Sequence, residues 1–145
     1  MTFLPADSLD GFAVDGRHRD DLVPFIGERA VTLFSFAIAD EADSVVCATH
    51  FRRILIDSGE DPDDPQVTEA EQLLIDWGRR IASDPGSIPD EFYASLESAF
   101  NPQLRGLLLA QASDLVASAT FAAAGRVPLD PALYDYRKPG DSRTD

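Results

Sequence analysis

Ten residues organise the sequence, and they read Ala42-Asp43-Ser44-Val45-Val46-Cys47-Ala48-Thr49-His50-Phe51. They hold the only cysteine of the chain and one of its two histidines. In a helix, Cys47 and His50 are three residues apart and share a face. We expect the Asp43 carboxylate to cap this helix by accepting the free N–H groups of its first turn. Cys47 would then lie near the positive end of the helix dipole, which favours the thiolate.

Helical patterns lie on both sides of this segment. The spacing of apolar residues and the capping signals predict five helices, over about 22 or 24–39, 44–58, 68–83, 90–100 and 102–124. The first is apolar nearly all round, so we expect a central, buried helix. No part of the sequence has the alternation of a β-strand. The predicted fold class is all-α.

Several residues mark where these helices begin and end. Thr68 and Glu71 form a capping box, and Asn101 before Pro102 suits the start of the longest helix. Gly59 is suited to ending the second helix. Arg52 and Arg53 are expected to face solvent or the surplus acidic residues. Outside the helical domain of residues 23–130, we expect an irregular segment over 1–22 and a mobile tail over 131–145, in which Tyr134 and Tyr136 could dock.

The chain is strongly acidic, with 26 acidic and 12 basic residues and a formal charge of −14. This charge argues against binding to nucleic acid or to an anionic membrane surface. One cysteine forms no disulfide framework, which fits a reducing compartment. The first residues lack the basic and apolar regions of a signal peptide, and no run approaches the length of an apolar membrane span. We therefore expect a cytoplasmic protein without a membrane segment.

The residues from Ser44 to Gly59 resemble the carboxymuconolactone decarboxylase and alkyl hydroperoxidase D family. In that family a helix begins with the pattern Cys-x-x-Cys-x-x-x-His and a glycine follows eight residues after the histidine. Without gaps, Ser44 and Cys47 fall on the two cysteines, Phe51 on the histidine and Gly59 on the glycine. The resemblance runs from about 24 to 130 and includes Val67-Thr68-Glu69-Ala70-Glu71, Asp84-Pro85-Gly86-Ser87-Ile88-Pro89-Asp90 and Gly125-Arg126-Val127-Pro128-Leu129-Asp130.

The resemblance implies a helical bundle like that of alkyl hydroperoxidase D, with an antiparallel helix-hairpin core, that assembles into dimers, trimers or hexamers. Three of the four positions that carry the family's chemistry differ, because Ser44, Phe51 and Thr32 replace a cysteine, the histidine and an upstream glutamate. A serine hydroxyl cannot take part in disulfide exchange, so the two-cysteine cycle is expected to be lost. His50 lies one residue from the family's histidine, which rotates it by about 100° around the helix.

The candidate catalytic residues are Cys47, His50 and Ser44, and three functions remain open. The first is a single-cysteine peroxide or thiol oxidoreductase in antioxidant defence: Cys47 would form a sulfenic acid, His50 would accept the thiol proton, and Ser44 could hydrogen-bond Cys47 or a ligand. The second keeps the pocket for binding a small molecule or for proton transfer like that of the lactone decarboxylase branch. The third is a catalytically silent oligomeric module.

No cofactor is expected. The two histidines are far apart in sequence and have no cysteine cluster beside them, so they form no recognisable zinc site. The acidic residues over 57–64 lack the spacing of a calcium-binding loop, and no glycine-rich phosphate loop is present.

Overall fold

All regular secondary structure in the protein is helical. The computed structural model describes all 145 residues. In chain order the α-helices are α1 Arg19–Glu41, α2 Val45–Asp57, α3 Glu69–Ser83, α4 Asp90–Ala99 and α5 Pro102–Ala124. Short 3₁₀ segments are Ala6–Gly11, Pro85–Ser87 and Pro131–Tyr136. No β-strand is present, so the all-α prediction is confirmed. The likeness of this bundle to alkyl hydroperoxidase D stays a prediction.

The centre of the bundle is the second part of α1, where every residue from Ala30 to Ala39 is buried. Helices α2, α3 and α5 all pack against α1, as expected for a helix that is apolar on all sides. The helix begins at Arg19, three residues before the earliest predicted start. It is interrupted at Gly27, whose φ of 85° lies in the left-handed region that glycine adopts without strain.

The start of α2 differs from the prediction by one residue. Ser44 is the N-cap, and its Oγ accepts a hydrogen bond of 3.2 Å from the Cys47 N–H. Asp43 does not cap the helix, because its φ of 57° places it in the turn that joins α1 to α2. Aspartate is one of the few residues other than glycine that adopt this conformation readily. The prediction of Asp43 as the N-cap was therefore wrong.

The other helix ends follow the sequence signals. Thr68 and Glu71 form the complete capping box of α3. Asn101 caps α5 through a hydrogen bond of 2.8 Å from the Leu104 N–H, and Pro102 is its first residue. Gly59 follows the C-cap of α2 with a φ of 83°. Its N–H donates to the Ile56 carbonyl, which completes the turn that ends the helix.

Arg52 is buried rather than solvent-facing and binds an acidic residue, which is the second of the two alternatives expected for it. Its side chain is 5% exposed, and its two terminal nitrogens donate to the Asp63 carboxylate at 2.8 and 3.1 Å. Its Nε donates to the Tyr136 carbonyl at 2.8 Å. One guanidinium therefore joins α2 to the loop after it and to the C-terminal segment. Arg53 is exposed and lies 3.6 Å from Asp57, as expected.

The C-terminal segment lies against α2. The Tyr136 hydroxyl donates to Asp57 at 2.8 Å, and Arg143 forms an ion pair of 3.0 Å with Asp43. The mobility expected for residues 131–145 stays a prediction.

Two helices, α1 and α5, are long and apolar enough to cross a membrane by length and composition. Helices in the core of a protein share these properties, and α1 is such a helix. This finding therefore assigns no location, and the cytoplasmic expectation stays a prediction.

We expect Asp63→Asn to destabilise the protein by about 1–2 kcal/mol in urea unfolding at pH 7. This is less than the cost of breaking a fully buried ion pair, because Asp63 is 37% exposed. Arg52 lowers the pKa of Asp63, so the ion pair contributes stability above the unfolded value of about 4 and loses it as the pH falls further. The difference between wild type and variant should therefore be constant from pH 7 to 5 and shrink below about pH 4.

The matched control is Asp64→Asn, since the neighbouring carboxylate is exposed and forms no ion pair. It should change stability by less than about 0.5 kcal/mol. Equal effects of the two substitutions would contradict the role given to Arg52.

Candidate functional site

The three predicted site residues lie at the N-cap and in the first two turns of α2, but in different surroundings. Ser44 and Cys47 point into the protein and are 1% and 2% exposed. The His50 side chain is 31% exposed and faces the N-terminal segment. Ser44 and Cys47 therefore lie together, whereas His50 contacts a different part of the chain.

Cys47 behaves as a buried thiol. Burial raises its pKa, while the hydrogen bond with the Ser44 side chain acts in the opposite direction and is the smaller effect. Ser44 lines a polar cavity of about 150 Å³ at the start of α2, but Cys47 does not line it. A thiol with a raised pKa and little exposure is protonated at neutral pH and reacts slowly.

His50 forms a short contact with Asp15, with 2.6 Å between Nε2 and Oδ1. This hydrogen bond is the largest cause of the lowered pKa of Asp15, and the positive charge of Arg19 adds to it. We assign the Nε2–H tautomer to His50 from the hydrogen bond, because an ionised carboxylate can only accept. The other ring nitrogen, Nδ1, has no protein partner and is the one left to exchange a proton with a bound molecule.

Sequence reasoning missed Asp15, because it lies in the segment predicted to be irregular. The Asp15-Gly16 pair indicates a turn. Nothing in the sequence indicates that the turn meets α2, since 35 residues separate Asp15 from His50.

Gln111, which is fully buried on α5, fixes this turn. Its Nε2 donates to the Asp15 carbonyl at 2.7 Å, and its Oε1 accepts from the His18 N–H at 3.2 Å. Gly16 has a φ of 83°, and a Cβ at this position would lie 2.1 Å from Gln111 Oε1. A second tie comes from Arg17, whose side chain pairs with Asp114 at 2.8 Å. The backbone of residue 15 is thus held by α5 while its side chain reaches α2.

Thr32 and Phe51, which the resemblance matches to a glutamate and a histidine of the family, supply no acid or base. Thr32 is buried, accepts a hydrogen bond of 2.8 Å from Arg19 Nη2, and donates to the Glu28 carbonyl at 2.9 Å. Phe51 is fully buried in the core. Among the candidate groups, the His50–Asp15 pair is therefore the one with the geometry for proton transfer. No three histidine, cysteine, aspartate or glutamate residues are placed to hold a metal ion together.

We expect Gly16→Ala to destabilise the protein by about 2–4 kcal/mol, because the new methyl group would overlap Gln111 and the backbone would be strained. Gly59→Ala is the matched control, since Gly59 has the same φ of 83° with no atom near its Cβ position. It should cost about 1–2 kcal/mol, the strain alone. Urea unfolding of both variants measures the difference, and equal costs would show that Gln111 does not constrain the turn.

We expect the Cys47 thiol of the native protein to react with a soluble disulfide reagent on the order of 100-fold more slowly than in the urea-unfolded chain. Burial and the raised pKa both act in this direction. Absorbance of the released thiol measures both rates at pH 7. A native rate equal to or above the unfolded rate would show an activated, accessible thiol instead.

Comparison of the chain with protein-family models, with curated proteins and with solved structures found no match. The family resemblance therefore rests on the sequence patterns between about residues 24 and 130 alone.

Proposed function

We propose that this protein is an alkyl hydroperoxidase D-like member of the carboxymuconolactone decarboxylase family that acts by proton transfer at His50. The observation that carries the proposal is the 2.6 Å contact between His50 Nε2 and Asp15 Oδ1 on a partly exposed ring. A carboxylate bound to one ring nitrogen orients a histidine and favours one tautomer. The resemblance supplies the precedent for proton transfer, through its lactone decarboxylase branch.

In this proposal His50 Nδ1 takes a proton from a carbon atom next to a carbonyl group of a small-molecule substrate. Asp15 stays ionised, since its pKa is lowered, and stabilises the imidazolium that forms. Returning the proton to the substrate restores the neutral ring. A positioned base of this kind contributes a factor of about 10²–10⁴ to a rate. The same resemblance supports assembly into a dimer, trimer or hexamer.

A second candidate is the single-cysteine peroxide or thiol oxidoreductase. It is favoured by the Ser44 hydrogen bond, which lowers the pKa of Cys47, and by the position of Cys47 in the first turn of α2. It is opposed by burial, which raises the same pKa more strongly. The thiol could then react with a hydroperoxide only in a more open form of the protein, so we place this candidate second.

The test is proton exchange into small carbonyl acids and lactones in D₂O, followed by proton NMR. His50→Gln should lower the exchange rate by about 100-fold or more, because the base is lost. Cys47→Ala should leave the rate unchanged. His18→Gln is the matched control, because His18 is the other histidine and does not contact Asp15.

Consumption of hydrogen peroxide and cumene hydroperoxide with a dithiol donor is measured on the same variants. If hydroperoxide is consumed and Cys47→Ala alone abolishes this, the second candidate replaces the first. If wild type and all variants are inactive in both assays, the protein is a silent module and the proposal is wrong.

A further inference from the structure

A cavity of about 270 Å³ lies between α1 and α2, just below the usual range for ligand pockets. Ile54 and Leu55 of α2 give it an apolar wall. Arg19 and Thr32 of α1 give it a polar wall. The cavity thus has separate places for a hydrocarbon group and for a polar group.

Arg19 is the cation of this cavity with hydrogen-bonding capacity to spare. Its Nη2 donates to Thr32 Oγ1 at 2.8 Å, but its Nη1 is buried and has no hydrogen-bond partner. Arg19 forms no ion pair, although acidic residues outnumber basic ones 26 to 12. A buried charged donor without a partner is unfavourable, so an acceptor that reached Nη1 would bind favourably.

The other charged groups of the cavity are already paired or exposed. Arg29 binds both Glu60, at 2.9 Å, and Glu71. Glu28 is exposed to solvent, where its charge is screened. Arg19 is therefore the charged group of the cavity that is free to bind a ligand. A guanidinium binds a carboxylate well, because the two match in charge and in hydrogen-bond geometry.

Neither His50 nor Asp15 lines the cavity, but the cavity and His50 lie along the same helix, α2. Ile54 follows His50 by four residues on α2, so the two side chains share one face of the helix. The charge of Arg19 contributes to the lowered pKa of Asp15, so the guanidinium lies within electrostatic range of that carboxylate. A molecule held by Arg19 would extend along the face of α2 that carries His50.

We propose that Arg19, oriented by its hydrogen bond to Thr32, binds the carboxylate of a small aliphatic acid, whose hydrocarbon part lies on Ile54 and Leu55. The site itself stands on the cavity and the unpaired guanidinium. The further statement that the bound acid is the substrate rests on the proposed function of His50.

Butyrate is the probe for the site, and butyramide is its uncharged analogue of the same shape. Titration of the full-length protein, followed by amide NMR shifts, should show butyrate binding in the millimolar range with the largest shifts around Thr32 and Ile54. Butyramide should bind at least about tenfold more weakly, because it offers no charge to the guanidinium.

Arg19→Gln should weaken butyrate binding at least about tenfold. Arg126→Gln removes the same charge from an exposed arginine whose side chain makes no hydrogen bond, and it should leave binding unchanged. Thr32→Val gives a second test with smaller disruption. It removes the acceptor that orients Arg19 and should weaken binding several-fold while the circular dichroism spectrum stays helical.

Equal affinity in Arg19→Gln and Arg126→Gln, equal binding of butyrate and butyramide, or the absence of shifts at saturating butyrate would each overturn the site. His50→Gln separates this inference from the proposed function. It should lower the rate of proton exchange by about 100-fold or more and keep butyrate binding. Binding without any exchange in wild type would leave the site standing and remove the proposed function, and exchange without butyrate binding would do the reverse.

Discussion

Burial of the α1 segment from Ala30 to Ala39 is the constraint on which the rest of the structure depends. Three helices pack against this segment, and its last carbonyls also organise the start of α2. The Ala39 carbonyl accepts the Ser44 N–H at 3.2 Å, and the Ile38 carbonyl accepts the Ala42 N–H at 2.9 Å. The rotation of α2 is therefore set by a buried neighbour. This is what sends Cys47 inward and leaves His50 at the boundary with the N-terminal segment.

One turn of helix separates two different chemical environments. On the inner side, loss of water raises the pKa of Cys47 more than the Ser44 hydroxyl lowers it. On the outer side, His50 keeps contact with solvent and gains a carboxylate. Burial therefore disfavours the Cys47 thiolate, because it penalises a charge that hydrogen bonding only partly stabilises.

Much of the fold could be predicted from the sequence, because helix patterns and helix ends are local signals. The buried α1, the capping box at Thr68 and the Asn101-Pro102 start of α5 all depend on neighbouring residues. The exact cap of α2 could not be predicted, since Asp43 and Ser44 are both good capping residues and the end of α1 decides between them. Contacts over long sequence distances were also beyond reach: Arg52 meets a carbonyl 84 residues away, and Gln111 holds a turn 96 residues away. The candidate site depends on such contacts, so its residues were only partly predicted.

Gln111 binds the backbone of residue 15 and not its side chain. The position of the residue 15 backbone is therefore fixed by α5, whereas the chemistry it presents to α2 depends only on its side chain. Exchanging the side chain at position 15 would remove the carboxylate that contacts His50, while the hydrogen bond from Gln111 to the backbone stays. The side chain that faces His50 can therefore vary without any change in the contact that holds the turn in place.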